Sequence, residues 1–277
     1  VYNGKGLDVL LNLDKCCDIL RVTVDGKNIG YIAPCGYVSS QHFSSRGSEF
    51  LKSFTAGFLT TCGLDNAGAP CIDINEELSL HGTIGNTPCE HYYWDINENS
   101  IVVKARLFGR KFLLERTIEF SLNQNTFKIS DRVVNEGTEK SPYMLLYHFN
   151  IGYPMLTENS KLSIPYYSVT PRDSRAAETL EKCLVMEMPD KDFTEQCYYY
   201  DVKDNEGIAE VSIENTEINK KMSMKFKKDT LDCFTEWKMM GEYEYVLGLE
   251  PGNCLTEGRK TMREKNILKF IEPNEEK

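Results

Sequence analysis

Four histidines occur in the 277 residues, at 42, 81, 91 and 148. Imidazole has the unperturbed proton affinity nearest neutral pH, so each is weighed first as an acid or a base. His148 follows the apolar run Tyr143-Met144-Leu145-Leu146-Tyr147 and precedes Phe149-Asn150-Ile151-Gly152. An imidazole in such company needs hydrogen-bond partners, because an unsatisfied buried polar group costs about 1–3 kcal/mol. Glu250 is its complement, a carboxyl after Tyr245-Val246-Leu247-Gly248-Leu249 and just before Pro251-Gly252. Desolvation at the edge of an interior raises a carboxyl toward neutrality, which suits a general base. His81 precedes Gly82, where the backbone can be approached closely. Each also has a plain structural reading: a satisfied strand-end histidine, a solvated carboxylate beside a turn, a loop histidine bonded to backbone.

Other chemistries fit less well. His148 has no His, Cys, Asp or Glu within three to five residues, and His81 and His91 with Cys89 and Glu90 between them match no zinc spacing, so no metal is expected. There is no G-x-S-x-G elbow for a nucleophilic serine. Ten cysteines are scattered without a CxxC pair, in a chain too long to need staples, and read as free thiols. With no N-x-S/T sequon either, the expectation is a cytoplasmic protein.

Such groups must be held by strands. Period-two alternation separated by turn residues predicts four successive antiparallel strands over 101–108, 111–121, 126–135 and 143–150. It predicts six more over 183–188, 197–202, 208–214, 222–227, 233–239 and 243–250. In Met222-Ser223-Met224-Lys225-Phe226-Lys227 apolar and polar residues alternate without error, as in a strand with one wet face. The best helical candidate is the short stretch 173–182. Strands at roughly 8- to 12-residue spacing point to an all-β protein, a large antiparallel β-sandwich with a barrel as the alternative. No linker, repeat or low-complexity tract divides the chain, so residues 1–277 are expected to form one domain.

Composition narrows the partners. The chain is 41% hydrophobic and 27% charged with a formal charge of −10, and its charges are interspersed. That balance argues against nucleic acid, which asks for clustered Lys and Arg. No apolar run reaches the roughly 20 residues of a membrane helix. A chain that opens on Val1 and closes on Glu275-Glu276-Lys277 reads as trimmed at its ends.

Taken together, these segments resemble the galactose mutarotase (aldose 1-epimerase) superfamily, in its branch of unknown function. The resemblance rests on Asp131-Arg132-Val133-Val134-Asn135-Glu136-Gly137 followed by His148-Phe149-Asn150, on Leu80-His81-Gly82, on Pro171-Arg172-Asp173, and on Trp237-Lys238 leading to Gly248-Leu249-Glu250-Pro251-Gly252. The chain departs from it where Phe149-Asn150 follow the histidine directly, and in lacking an early Asn-Arg pair. The resemblance implies a β-sandwich holding a sugar in an open cleft, with His148 as general acid, Glu250 as general base and no cofactor. It places His81, Arg172, Lys238 and Asn150 around the sugar, with Trp237 as a stacking surface. Arg172 and Lys238 together at the cleft would favour an anionic sugar. A monomer or homodimer that interconverts anomers is the reading carried forward, with a non-catalytic sugar-binding protein as the alternative.

Overall fold

The computed structural model describes residues 1–277, and its backbone is organised around one six-stranded antiparallel sheet. Its strands run, from one edge to the other, Tyr166–Pro171, Gln196–Val202, Cys233–Met240, Tyr245–Gly252, Met144–Ile151 and Leu59–Leu64. Two adjacent interior ones, here the glutamate strand (Tyr245–Gly252) and the histidine strand (Met144–Ile151), are buried almost throughout. They therefore read as near-continuous apolar runs, within which Gly248, Glu250, His148 and Asn150 are the conspicuous exceptions.

Three further sheets surround this one. Phe127–Asn135, Phe112–Ser121, Ser100–Gly109 and His91–Ile96 form a meander. Leu7–Asn12, Asp18–Val24 and Lys27–Asn28 form a second sheet, and Lys161–Ser163, Ile208–Asn215, Asp204–Asn205 and Lys220–Lys227 a third. In Ile208–Asn215 every second residue, Ala209, Val211 and Ile213, is buried, which is the alternation expected of one dry face. These residues join Leu247, Leu249, Phe234 and Tyr198 of the six-stranded sheet, Ile118 and Phe120 of the meander and Ile19 and Val22 of the N-terminal sheet in one core of 31 buried residues. The result is a β-sandwich: one face of the six-stranded sheet is sealed into this core, and the other is left for chemistry.

The first three predicted strands pair as a meander with boundaries moved by one residue, but the fourth, at Met144–Ile151, leaves that sheet for the six-stranded one, and His91–Ile96 completes the meander instead. The strand expected over 183–188 is not. Apart from a single bridge between Val185 and Lys161, the segment lies across the inner face of the sheet. Its carbonyls bond to side chains instead: Lys238 donates to the oxygens of Lys182 and Val185, and Tyr245 to that of Glu187. The helical candidate at 173–182 shrinks to Ser174–Glu178, capped by the Asp173 carboxylate on the Ala176 N–H at 3.0 Å, and a 3-10 turn at Leu180–Lys182. A helix at Arg259–Glu264 had no signal strong enough to predict it. All ten cysteines are free, and no helix is long and apolar enough to cross a membrane.

Candidate functional site

Sheet register brings the two candidate proton-transfer groups together. Phe149 pairs with Leu249 and Asn150 with Gly248, so His148 stands directly across from Glu250 although 102 residues separate them in the chain. The His148 Nε2 to Glu250 Oε1 distance is 3.2 Å. The next pairings on the same face set Thr235 beside Glu250, Trp237 beside Gly248 and Cys197 beside Trp237. On the other flank Thr60 pairs with His148. Side chains alternate along a strand, so all of these project from the face opposite the 31-residue core.

That face holds a concentration of unpaired polar atoms. Of the six buried side-chain N and O atoms that lack a hydrogen-bond partner, four are here: His148 Nδ1, Glu250 Oε2, Asn150 Oδ1 and Thr235 Oγ1. Native interiors rarely leave such groups unsatisfied, and a cluster of them marks a place built for something other than stability. Gly248 lets its neighbours close in at the centre. A Cβ there would lie 2.8 Å from Glu250 Oε1, 3.1 Å from Trp237 Cβ and 3.2 Å from His148 Cε1. Glycine in the middle of a central strand weakens the strand and signals close approach by something else.

Burial sets the electrostatics. His148 is 4% exposed and Glu250 1%. Desolvation, helped by the neighbouring His81, pushes His148 down to about 3. Desolvation pushes Glu250 up to about 8 against the pull of Arg172. Near neutral pH both side chains are therefore uncharged, and one proton lies on the carboxyl facing the imidazole.

The other predicted residues divide into those that reach this face and one that does not. His81 packs edge-on against His148 with ring centroids 5.4 Å apart. It sits in the left-handed region at φ 58°, on a turn fixed by Gly82, where a Cβ would come within 2.3 Å of the carbonyl oxygens of Gly63 and Asn66. Its Nδ1 accepts from the Gly68 N–H at 3.3 Å, so its proton is on Nε2. Trp237 contacts His148 at 5.5 Å between centroids. Arg172 lies at the rim, donating to Glu195 at 2.8 Å, to Asp173 at 3.0 Å and to the Cys197 sulfur at 2.9 Å. Asn150 is fully buried and donates to the His148 carbonyl at 3.0 Å. Lys238 is the correction. It follows Trp237 in the strand and so points to the opposite face, where it is wholly buried and its ammonium binds the Lys182 and Val185 carbonyls and, at 3.5 Å, Glu187.

Two contributors were not anticipated. Phe54 covers His148 at 5.7 Å between centroids and lies parallel to His81 at 6.5 Å. Glu195 ties the rim together, accepting from Arg172 and, at 2.9 Å, from Trp237 Nε1. Neither carries a sequence signal, since Phe54 looks like an ordinary apolar residue and Glu195 like one more surface charge. No three His, Cys, Asp or Glu side chains converge as metal ligands would.

Known proteins bear this architecture out. The chain aligns over 98% of its length with a Klebsiella pneumoniae protein provisionally named an aldose 1-epimerase, covering 74% of that chain at 23% identity with a TM-score of 0.92. A galactose mutarotase-like protein from Clostridium acetobutylicum matches over 99% of this chain and 90% of its own at 16% identity and a TM-score of 0.68. A provisionally named aldose 1-epimerase from Escherichia coli K12 matches over 99% and 93%, at 11% identity and 0.58. At such identities the likeness is one of fold. None of the curated proteins matches. The family model for a domain of unknown function, DUF4432, matches residues 1–277. The chain thus belongs to the DUF4432 family and is built on the galactose mutarotase-like β-sandwich.

Proposed function

We propose that this protein is an isomerase that interconverts the α and β anomers of a sugar by acid-base ring opening. The observation that carries the reading is the buried, cross-strand His148–Glu250 contact at 3.2 Å on a sheet face crowded with unpaired polar atoms. Mutarotation removes a proton from the anomeric hydroxyl and delivers one to the ring oxygen. Glu250 takes the first and His148 gives the second, the ring opens to the aldehyde, and rotation followed by reclosure inverts the centre. His81, with its proton on Nε2, donates to a sugar hydroxyl, and Trp237 offers an aromatic face beside Gly248. Phe54 lies against His148, so a sugar reaches the pair only once Phe54 is displaced.

A neutral sugar suits the site better than an anionic one. Lys238 faces away, and the charge of Arg172 is already met by Glu195 and Asp173.

Anomer exchange followed by NMR over a panel of hexoses, pentoses and sugar phosphates tests the reading. Wild-type protein should accelerate exchange of at least one neutral sugar, and His148→Ala or Glu250→Gln should each lose about 10²- to 10⁴-fold of that acceleration while remaining folded. Most of the activity surviving in either variant would sink the assignment. Sugar binding without any acceleration would instead make this a binding protein on the same fold.

A further inference from the structure

Asn150 and His148 lie two residues apart on one face of the histidine strand, and each lacks what the other has. Asn150 Nδ2 is committed to the His148 carbonyl, which leaves Oδ1 as a buried acceptor without a partner. His148 Nδ1 is likewise buried without a partner, while Nε2 faces Glu250. A neutral imidazole carries a single N–H, and the hydrogen bond made at one nitrogen decides the state of the other.

We propose that Asn150 is a positioning residue: its Oδ1 accepts from His148 Nδ1–H, fixing the tautomer whose bare Nε2 faces Glu250, so that His148 and Glu250 share one proton between Nε2 and Oε1. The catalytic part of this rests on the mutarotase reading. Asn150 acts through the histidine and does not itself touch the sugar.

The proton count then closes without an outside donor. In the resting pair the shared proton is on Glu250 and the histidine is neutral. Transfer from Oε1 to Nε2 yields carboxylate and imidazolium. The carboxylate takes the anomeric hydroxyl proton and the imidazolium protonates the ring oxygen as the bond from the anomeric carbon to that oxygen breaks. Glu250 ends protonated and His148 neutral, as they began, and the sugar is open. Burial of both groups favours the uncharged resting pair, and a hydrogen bond given by His148 Nδ1–H to Asn150 works in the opposite sense on the histidine, favouring its protonated form. The titratable and charged groups that bear on the pair are His81 from the turn, Arg172 and Glu195 at the rim, and the Cys62 and Cys197 thiols on flanking strands.

Ring ¹⁵N shifts of the full chain labelled at histidine, recorded from pH 5 to 7.5, test the assignment directly. His148 should appear neutral and protonated on Nδ1 throughout. An imidazolium, or a ring protonated on Nε2, overturns the proposal. Asn150→Ala should mix the tautomers and lower kcat for anomer exchange roughly 10- to 100-fold with KM little changed, as when an outer partner that orients an imidazole is lost. Asn150→Asp keeps an acceptor in place, so it should retain the Nδ1–H form and move the acid limb of the pH profile upward. A wild-type ring spectrum in Asn150→Ala, or an unmoved profile in Asn150→Asp, counts against the proposal even if other variants fold poorly. The two readings fail separately. A protein that accelerates no sugar but shows the Nδ1–H ring loses the mutarotase assignment alone, whereas a working mutarotase with an imidazolium at neutral pH loses only the role given to Asn150.

Discussion

At the scale of single residues, the buried pair couples folding to pH in two opposite directions. Glu250 is raised from 4.5 to about 8 by desolvation, so the folded state holds its proton more tightly than the unfolded chain does. The stability linked to that proton is fully present below about 4.5 and is lost as pH rises through 8. His148 is lowered from 6.5 to about 3, so its contribution is present above 6.5 and is lost as pH falls toward 3. Glu236, buried on the other face and donated to by Tyr200 at 2.6 Å, is also raised to about 8 and adds to the alkaline loss. Denaturation midpoints measured from pH 5 to 9 should therefore fall by an amount equivalent to a few kcal/mol in wild-type protein. Glu250→Gln should flatten that fall, since an amide has no proton to lose. An equal slope in the variant would mean that Glu250 is not held protonated by the fold.

At the scale of the strand, period two decides what can share a site. It puts His148 and Asn150 on one face and separates Trp237 from Lys238, so the expectation that both of the latter border the sugar conflicts with the alternation of the strand that carries them. The wet-faced strands at 101–135 and 208–227 were legible because alternation survives where one side meets water. Leu59–Leu64 was not, because its largely buried Thr60-Thr61-Cys62-Gly63 run has no clear alternation to read. His91–Ile96 is exposed along its whole length and gives no alternation either. Phe54 and Glu195 reach the site from loops, and only the pairing of distant strands defines what those loops cover. Gly248, by contrast, was visible as a glycine inside an apolar strand, and its use is a strand-level property. Gly248→Ala would place a methyl against Glu250, Trp237 and His148 without demanding an unusual backbone angle. We expect a stability cost of about 1–3 kcal/mol from overpacking and a loss of anomer exchange of tenfold or more. The melting temperature and the NMR exchange rate of one preparation check both, and an unchanged rate would show that the close approach at Gly248 plays no part in the reaction.

At the scale of the whole molecule, the site depends on how three sheets are tied together behind it. Arg116, on the Phe112–Ser121 strand, is completely buried and reaches Asp18 of the N-terminal sheet at 2.6 Å and Asp131 of its own sheet at 2.7 Å. It also donates to the Thr61 hydroxyl at 2.8 Å and to the Cys16 carbonyl at 3.1 Å. Asp18 in turn accepts from the Thr61 N–H at 2.7 Å, and Asp131 accepts from the Tyr147 hydroxyl at 2.9 Å. Thr61 and Tyr147 are the chain neighbours of Thr60 and His148, so one guanidinium braces the two strands that hold the histidine from the side opposite the sugar. Such a network is a costly way to gain stability, because three charges have been taken out of water, yet removing one partner strands the others. Arg116→Met should therefore cost about 3–5 kcal/mol in denaturant unfolding, with Asp18 and Asp131 left facing each other without a counter-charge. Adding Asp18→Asn and Asp131→Asn to the same chain removes the stranded charges and should recover a large part of that loss. If Arg116→Met alone unfolds within about 1 kcal/mol of wild type, the sheets are held by their shared apolar core and the charged network serves only to orient the histidine strand. Anomer exchange in the charge-free triple variant then separates the two roles: recovered stability with a slow rate assigns the network to the site, and recovery of both assigns it to the fold.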